Sequence, residues 1–151
     1  MSDQTTDDRA ILVSVRQNRG GENHQEEGLE ELAGLLATLG VEPVERLAVS
    51  VREYRPRYLV GSGKADEIIR AAEDHDAGMI VFDNELSPSQ QRNWEQRAER
   101  STLDRQEVIL EIFGRHASTR EARLQVDLAR MQYQLPRLTR AWTHLSRQRG
   151  G

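Results

Sequence analysis

Apolar positions along the chain follow two kinds of spacing, and the alternation between them predicts the fold. Ala10–Val15 (AILVSV) is a short apolar run bounded by charge, as a buried strand requires. In Glu26–Leu39, Leu29, Leu32, Leu35, Leu36 and Leu39 recur on one helical face, and Gly40 stands where a left-handed residue closes a helix. Val44–Val51 alternates at Leu47, Val49 and Val51 and predicts a second strand. A turn-prone stretch at 52–57 (REYRPR) leads into Tyr58–Val60, a predicted third strand that runs into Gly61, Ser62, Gly63 and Lys64. The next helix covers Ala65–His75 with Ile68, Ile69 and Ala72 inward, and Gly78–Asp83 (GMIVFD) is the clearest strand of all. Ser87, Pro88, Ser89 and Gln90 then open a helix: Ser is the cap, Pro takes the first helical position, and Gln falls where a capping box needs it. Such a cap contributes about 1 kcal/mol. Ser101–Leu103 predicts a last short strand. Strands alternating with helices across short loops define an α/β fold, a small parallel β-sheet with helices on both faces.

From Asp104 the period changes. Val108, Ile109, Ile112 and Phe113 form one helical face, and Ser118, Thr119, Arg120 and Glu121 are a second capping-box signature that predicts a restart or kink. Leu124, Leu128, Met131, Leu135 and Leu138 are then spaced 4, 3, 4 and 3 residues apart, the seam of a coiled coil, with Arg123, Arg130 and Arg137 recurring beside it. Half-burial of five such side chains is worth roughly 4–7 kcal/mol, comparable with the whole stability margin of a small domain. The seam therefore predicts a cover: another copy of the chain, a helix from outside this stretch, or the sheet itself. The predicted organisation is a tail at 1–9, an α/β unit at 10–103, and a long α-helical arm at 104–151, half of an antiparallel hairpin, ending in a basic, Gly-terminated tip.

Composition sharpens this picture. At 151 residues, 36% hydrophobic and 30% charged, the chain has a real core plus a solvated element. No run of about 18 apolar residues exists to span a bilayer. The start (MSDQTTDDR) has no hydrophobic region after it, as a secretory signal would. The absence of cysteine removes disulfides, thiolate nucleophiles and Cys-based zinc sites, and fits a cytoplasmic location. The net charge of -4 hides an asymmetry: residues 1–103 carry 12 Lys and Arg against 20 Asp and Glu, whereas residues 104–151 carry 9 against 5. All nine of those cations are Arg, which forks onto phosphates and stacks on bases as Lys does not.

Catalytic patterns are sparse. Gly61, Ser62, Gly63 and Lys64 suggest an anion or nucleotide contact at a helix start, but the full phosphate-loop motif fails, because Tyr58 stands where its first Gly belongs and Ala65 where a magnesium-binding hydroxyl belongs. A tight turn is the plainer reading, with a weaker anion contact by Lys64, the only lysine, left open. Asp83, Asn84 and Glu85 lie at the carboxyl end of a strand, where open α/β sheets bind ligands; a solvated loop before a helix explains them equally. The four His show no zinc-binding spacing, and no nucleophile elbow is present. At the end of the chain, Arg137, Arg140, Arg147 and Arg149 surround Trp142 and His144. Arg interleaved with aromatics suits irregular or single-stranded RNA, and an ordinary solvated helix end with Trp142 in a core accounts for the composition as well.

Four stretches, RYLVGSGKADEI (57–68), ELSPSQQRNWE (85–95), LDRQEVILEIFGRHASTREARLQVDLARMQYQLPRL (103–138) and TRAWTHLSRQRGG (139–151), closely resemble the N-terminal region of HflX-type ribosome-associated GTPases. The resemblance implies an α/β subdomain followed by two long antiparallel helices and a GTPase domain, with this chain stopping ahead of the second helix and of that domain. It implies that the cover for the seam is the second long helix, that the chain has no catalysis or cofactor of its own, and that GTP and Mg2+ belong to the GTPase domain. Full-length relatives bind the large ribosomal subunit and its rRNA and split stalled ribosomes under stress. Carried over, the rRNA-approaching tip corresponds to residues 137–151, with Arg137, Arg140, Arg147 and Arg149 on phosphates and Trp142 and His144 stacking. The rival expectations are a nucleotide-binding domain using Gly61–Lys64 and a helical module that self-associates through Leu124, Leu128, Met131, Leu135 and Leu138.

Overall fold

The structure, a computed structural model, describes residues 8–18 and 21–137. Four strands, β1 (Arg9–Gln17), β2 (Glu42–Val51), β3 (Met79–Phe82) and β4 (Ser101–Asp104), form one parallel sheet in the order β2-β1-β3-β4. β1 is central and apolar on both sides, so it cannot alternate as a half-exposed strand would. Ile11, Val13 and Val15 point into one core, and Ala10 and Leu12 into the other. Register places Ile11 beside Ile80 and Val13 beside Phe82.

One face is covered by α1 (Gln25–Thr38), through Leu29, Leu32, Ala33 and Leu36, and by Val108 of α4 (Arg105–His116). The other is covered by α2 (Ser62–Asp74), through Ala65, Ile68 and Ala72, and by Trp94 and Ala98 of α3 (Pro88–Ala98). The Trp94 indole is fully buried, 5.0 Å from the Phe82 ring centre and 5.7 Å from that of Tyr58 in an edge-on contact. Its Nε1 donates to the Tyr58 carbonyl at 2.9 Å, which satisfies the one polar atom such burial strands. The caps follow local chemistry: Gly40, at φ +78°, follows the end of α1, and Ser87 and Gln90 exchange both capping-box bonds at 3.1 and 2.9 Å.

Three local expectations are corrected. Tyr58–Val60 is buried but is not a strand: Arg55 and Leu59 exchange backbone bonds at 3.1 and 2.9 Å in a tight turn, and Leu59, at φ +68°, breaks the extended run. Apolar burial there anchors a loop, a role that periodicity cannot separate from a three-residue strand. Phe113 is 55% exposed, whereas Leu110 is buried. The cap before α5 (Arg120–Gln134) is Thr119, whose Oγ1 accepts from the Ala122 amide at 3.1 Å.

The arm is thus two helices. Gly114 of α4 lies against Val126 and Arg130 of α5, Glu111 pairs with Arg130, and Tyr133 reaches Asp104, so α5 runs antiparallel to α4 and returns to the sheet. A short 3-10 turn, Leu135–Arg137, follows.

Candidate functional site

The end of the arm is fastened to the body by a buried polar cluster. Asp104, the last residue of β4, has no exposed surface and caps α4: Oδ1 accepts from the Glu107 amide at 3.1 Å and Oδ2 from the Leu86 amide at 2.9 Å. The Tyr133 hydroxyl also donates to Oδ2. Arg137 closes the cluster from above, its guanidinium 3.8 Å from the Tyr133 ring centre and 3.9 Å from Asp104 Oδ2, donating to the Leu86 carbonyl and, at 3.0 Å, to that of Tyr133. A buried carboxylate needs such partners, since its desolvation costs several kcal/mol.

Titration behaviour follows from this crowding. Burial, with Asp104 beside it, pushes the Glu107 carboxyl up to about 7, while the bond it accepts from Gln91 Nε2 at 2.5 Å and the charge of Arg137 oppose the rise. The Tyr133 phenol is raised well above its ordinary value by burial first and then by its bond to Asp104. Gln91 Oε1, Thr102 Oγ1 and Arg137 Nε are buried without a hydrogen-bond partner, so the cluster is not fully satisfied.

Above the clasp, α5 contains no buried residue. Leu124, Leu128, Met131 and Leu135 are 56–61% exposed and share one face, so the described part of the seam is not sealed against the body. Arg137, expected to face RNA phosphates, is turned inward with a side chain only 11% exposed. Leu138, Arg140, Trp142, His144, Arg147 and Arg149 lie outside the described residues.

The other candidates are resolved individually. Gly61 is the N-cap of α2, and a Cβ added to it or to Gly63 would meet nothing within 4 Å; Lys64 pairs with Glu67 at 3.2 Å. Its one cation is thus engaged by a neighbouring acid, and neither Gly is required by close packing or left-handed backbone. The residues present do not fit a triphosphate and its metal. Asp83 pairs with Arg105 at 2.6 Å, and Arg105 also pairs with Glu31 at 2.5 Å, so the acid at the end of β3 braces α1 and α4. Asn84 completes the edge of β1, bonding the Val15 amide at 2.9 Å and its carbonyl at 2.7 Å. Between the carboxyl ends of β1 and β3, where the sheet order reverses, lies an open cleft of about 430 Å³ bordered by Arg16, His24, Gln25, Tyr54 and Asp83. Among the described residues, no group of three or more His, Asp or Glu is placed to hold a metal ion. No helix there is long and apolar enough to cross a membrane.

Sequence reasoning missed the clasp. Its visible trace is Asp104 three residues ahead of Glu107, a capping pattern, but nothing local links either to Tyr133 or Arg137. It also missed Gln25, buried within α1, whose Nε2 donates to the carbonyls of Ser14 at 2.7 Å and Val49 at 3.0 Å and so ties β1 to β2.

The described residues form a parallel sheet between two helical layers, carrying a clasped helical hairpin. The family described as GTP-binding GTPase N-terminal matches residues 26–114, and the GTP-binding GTPase Middle Region matches residues 116–151. The chain belongs to the GTP-binding GTPase N-terminal family. It is 48% identical over 144 residues to GTPase HflX of Akkermansia muciniphila and 40% identical over 144 residues to GTPase HflX of Escherichia coli, covering 95% of this chain and 33% of each relative. The chain therefore spans about a third of the length of these curated relatives. A GTP-binding protein of Sulfolobus solfataricus, solved with GDP, aligns with a TM-score of 0.58 at 20% identity over 93% of this chain and 42% of its own. A variant of SsGBP aligns with a TM-score of 0.67 at 21% identity over 88% of this chain and 41% of its own, which supports the fold alone.

Proposed function

We propose that this chain is the ribosome-binding N-terminal part of an HflX-like GTPase that associates with the large ribosomal subunit and helps to split or rescue stalled ribosomes. In this reading the sheet and the clasp fix where the arm leaves the body. Arg140, Arg147 and Arg149 neutralise rRNA phosphates, and Trp142 and His144 stack on unpaired bases, while Arg137 acts as their anchor. GTP and Mg2+ are handled by the part of the relatives that lies beyond this stretch, and the second long helix and GTPase domain there are the natural cover for the seam. The observation that carries the reading is the exposed Leu124–Leu135 face on a helix that is itself held firmly at its base: a domain with no further contact to make would not leave such a face to water.

The test is binding of the chain to purified large ribosomal subunits over a range of salt. Arg140→Gln, Arg147→Gln and Arg149→Gln together lower the affinity and flatten the salt dependence by about 2, at roughly 0.7 per phosphate contact on an unpaired strand. An unchanged slope removes the RNA role from the tip.

A further inference from the structure

We propose that residues 52–57, the first part of the loop joining β2 to α2, are a second RNA-contacting surface, which takes the backbone and an unstacked base of single-stranded rRNA beside the arm. This rests on the reading above that the chain contacts rRNA, and it adds a surface on the α/β body that the family resemblance did not single out.

The fold holds the main chain of this loop and leaves its side chains outside. Gln90 Nε2 donates to the Arg55 carbonyl at 3.3 Å, Asn93 Nδ2 to that of Arg57 at 3.0 Å, and Trp94 Nε1 to that of Tyr58 at 2.9 Å. Arg55 and Leu59 close the turn by exchanging backbone bonds, with Pro56 fixing the backbone between them. Buried Tyr58, Leu59 and Val60 root it in the core. A loop moored this way meets a partner already shaped, so little ordering entropy is lost on binding.

What it presents is net cationic, three Arg against the single acid Glu53, with a flat ring among them. Arg52, Arg55 and Arg57 are exposed, and among the described residues none of them has a carboxylate partner. Elsewhere on the body Arg97 is engaged by Asp66 and Arg105 by Asp83 and Glu31, while the exposed Arg46 and Arg70 stand singly rather than in a group. Three unpaired guanidiniums within six positions stand out in a stretch, residues 1–103, where acids outnumber bases 20 to 12. Tyr54, 43% exposed, offers a ring among them, and Arg57 lies 5.3 Å over the Tyr58 ring centre. Forked cations beside an open ring match phosphate and an unstacked base better than an acidic protein surface, which needs charge but no ring.

Position joins the loop to the arm. The first turns of α3 touch the loop through Gln90 and Asn93, and touch the arm's end through Arg92, 3.5 Å from the Pro136 carbonyl. Leu86, just ahead of that helix, receives Arg137. One helix end therefore holds both the loop and the described end of the arm.

The experiment compares three proteins: wild type, the loop variant Arg52→Gln, Arg55→Gln, Arg57→Gln, and the tip variant Arg140→Gln, Arg147→Gln, Arg149→Gln. Each is titrated with purified large ribosomal subunits and with protein-free rRNA at several salt concentrations. The loop variant should flatten the salt dependence by about 2, three contacts at roughly 0.7 each. Replacing the three by Lys should restore most of that slope, and circular dichroism should stay unchanged because the loop is held by its main chain. A loop variant that matches wild type while the tip variant weakens overturns this proposal and leaves the tip reading standing. Loss on subunits with none on protein-free rRNA also overturns it, in favour of an acidic ribosomal protein. A tip variant that matches wild type while the loop variant weakens defeats the tip reading instead.

Discussion

Replacing Glu107 by Gln should make the protein more stable at alkaline pH and remove much of its pH dependence. Glu107 is raised from 4.5 to about 7, first by burial and then by Asp104, with Glu95 adding to the rise and Arg137 and Gln91 opposing it. The sign follows from which state holds the proton. Between 4.5 and about 7 the folded chain keeps a proton on Glu107 that the unfolded chain has released, so the folded state binds more protons and stability falls as pH rises through that window. Above the folded value both states are ionised and the full burden is present; below the unfolded value it is gone. At 1.36 kcal/mol per pH unit the shift corresponds to at most about 3 kcal/mol, and water reaching the partly buried carboxyl reduces it to about 1–2 kcal/mol.

Gln retains an oxygen to accept from Gln91 and carries no charge toward Asp104, so the variant keeps the geometry and loses the ionisation. Urea unfolding followed by circular dichroism at several pH values between about 5 and about 8.5 reads both effects. Wild type should lose stability across that range, and the variant should exceed it by about 1–2 kcal/mol at the alkaline end with a flatter profile. A variant whose stability parallels wild type at every pH, or a wild type that gains stability from Glu107 as pH rises, refutes the account of this carboxyl.

Other expectations follow from single contacts. Tyr133→Phe removes the hydroxyl that donates to Asp104 and should cost about 1–3 kcal/mol, with faster hydrogen exchange in α5 and little change in β1; equal exchange in α5 counts against the clasp. Gly28→Ala should destabilise by about 1–3 kcal/mol, because the new Cβ would overlap Asp83 Oδ2, a carboxylate held by Arg105, and this outweighs the helix-propensity gain of about 1 kcal/mol; a more stable variant on urea unfolding would contradict it. Leu128→Glu with Met131→Glu should change stability by no more than about 0.5 kcal/mol yet abolish concentration-dependent self-association seen by sedimentation velocity; a wild type that stays monomeric at every concentration removes the self-pairing of the seam.

How much the sequence reveals depends on how local the cause is. The Ser87–Gln90 cap, the Gly40 stop and the two-sided burial of Ala10–Val15 are written in neighbouring residues, and each is found in place. Tyr58–Val60 misleads because three apolar residues report burial without saying whether the backbone is extended; the deciding fact, a left-handed Leu59, is set by a turn and by bonds from a helix some 30 positions later. The clasp is less legible still: Asp104, Glu107, Tyr133 and Arg137 are scattered over 34 positions and only the return of α5 brings them together. Arg137 shows the limit most clearly, since its place among the Arg and aromatic residues at the end of the chain suggested a contact to RNA phosphates, and the tertiary fold turned it onto a carbonyl and a ring.

The clasp also explains how α5 can be ordered with its apolar face in water. A helix of 15 residues is marginal in isolation, and α5 fully buries no side chain, Val126, Ala129 and Tyr133 being only partly covered, so the hydrophobic contribution that ordinarily holds a surface helix is reduced here. What replaces it is polar and placed along the opposite face: Thr119 caps the start, Arg130 pairs with Glu111 midway, and Tyr133 and Arg137 lock the end. These contacts orient the helix without covering Leu124, Leu128, Met131 and Leu135. Docking of an amphipathic partner on that stripe would therefore add hydrophobic stabilisation to a helix already positioned by other means, and the ordering cost of binding would fall mainly on the partner.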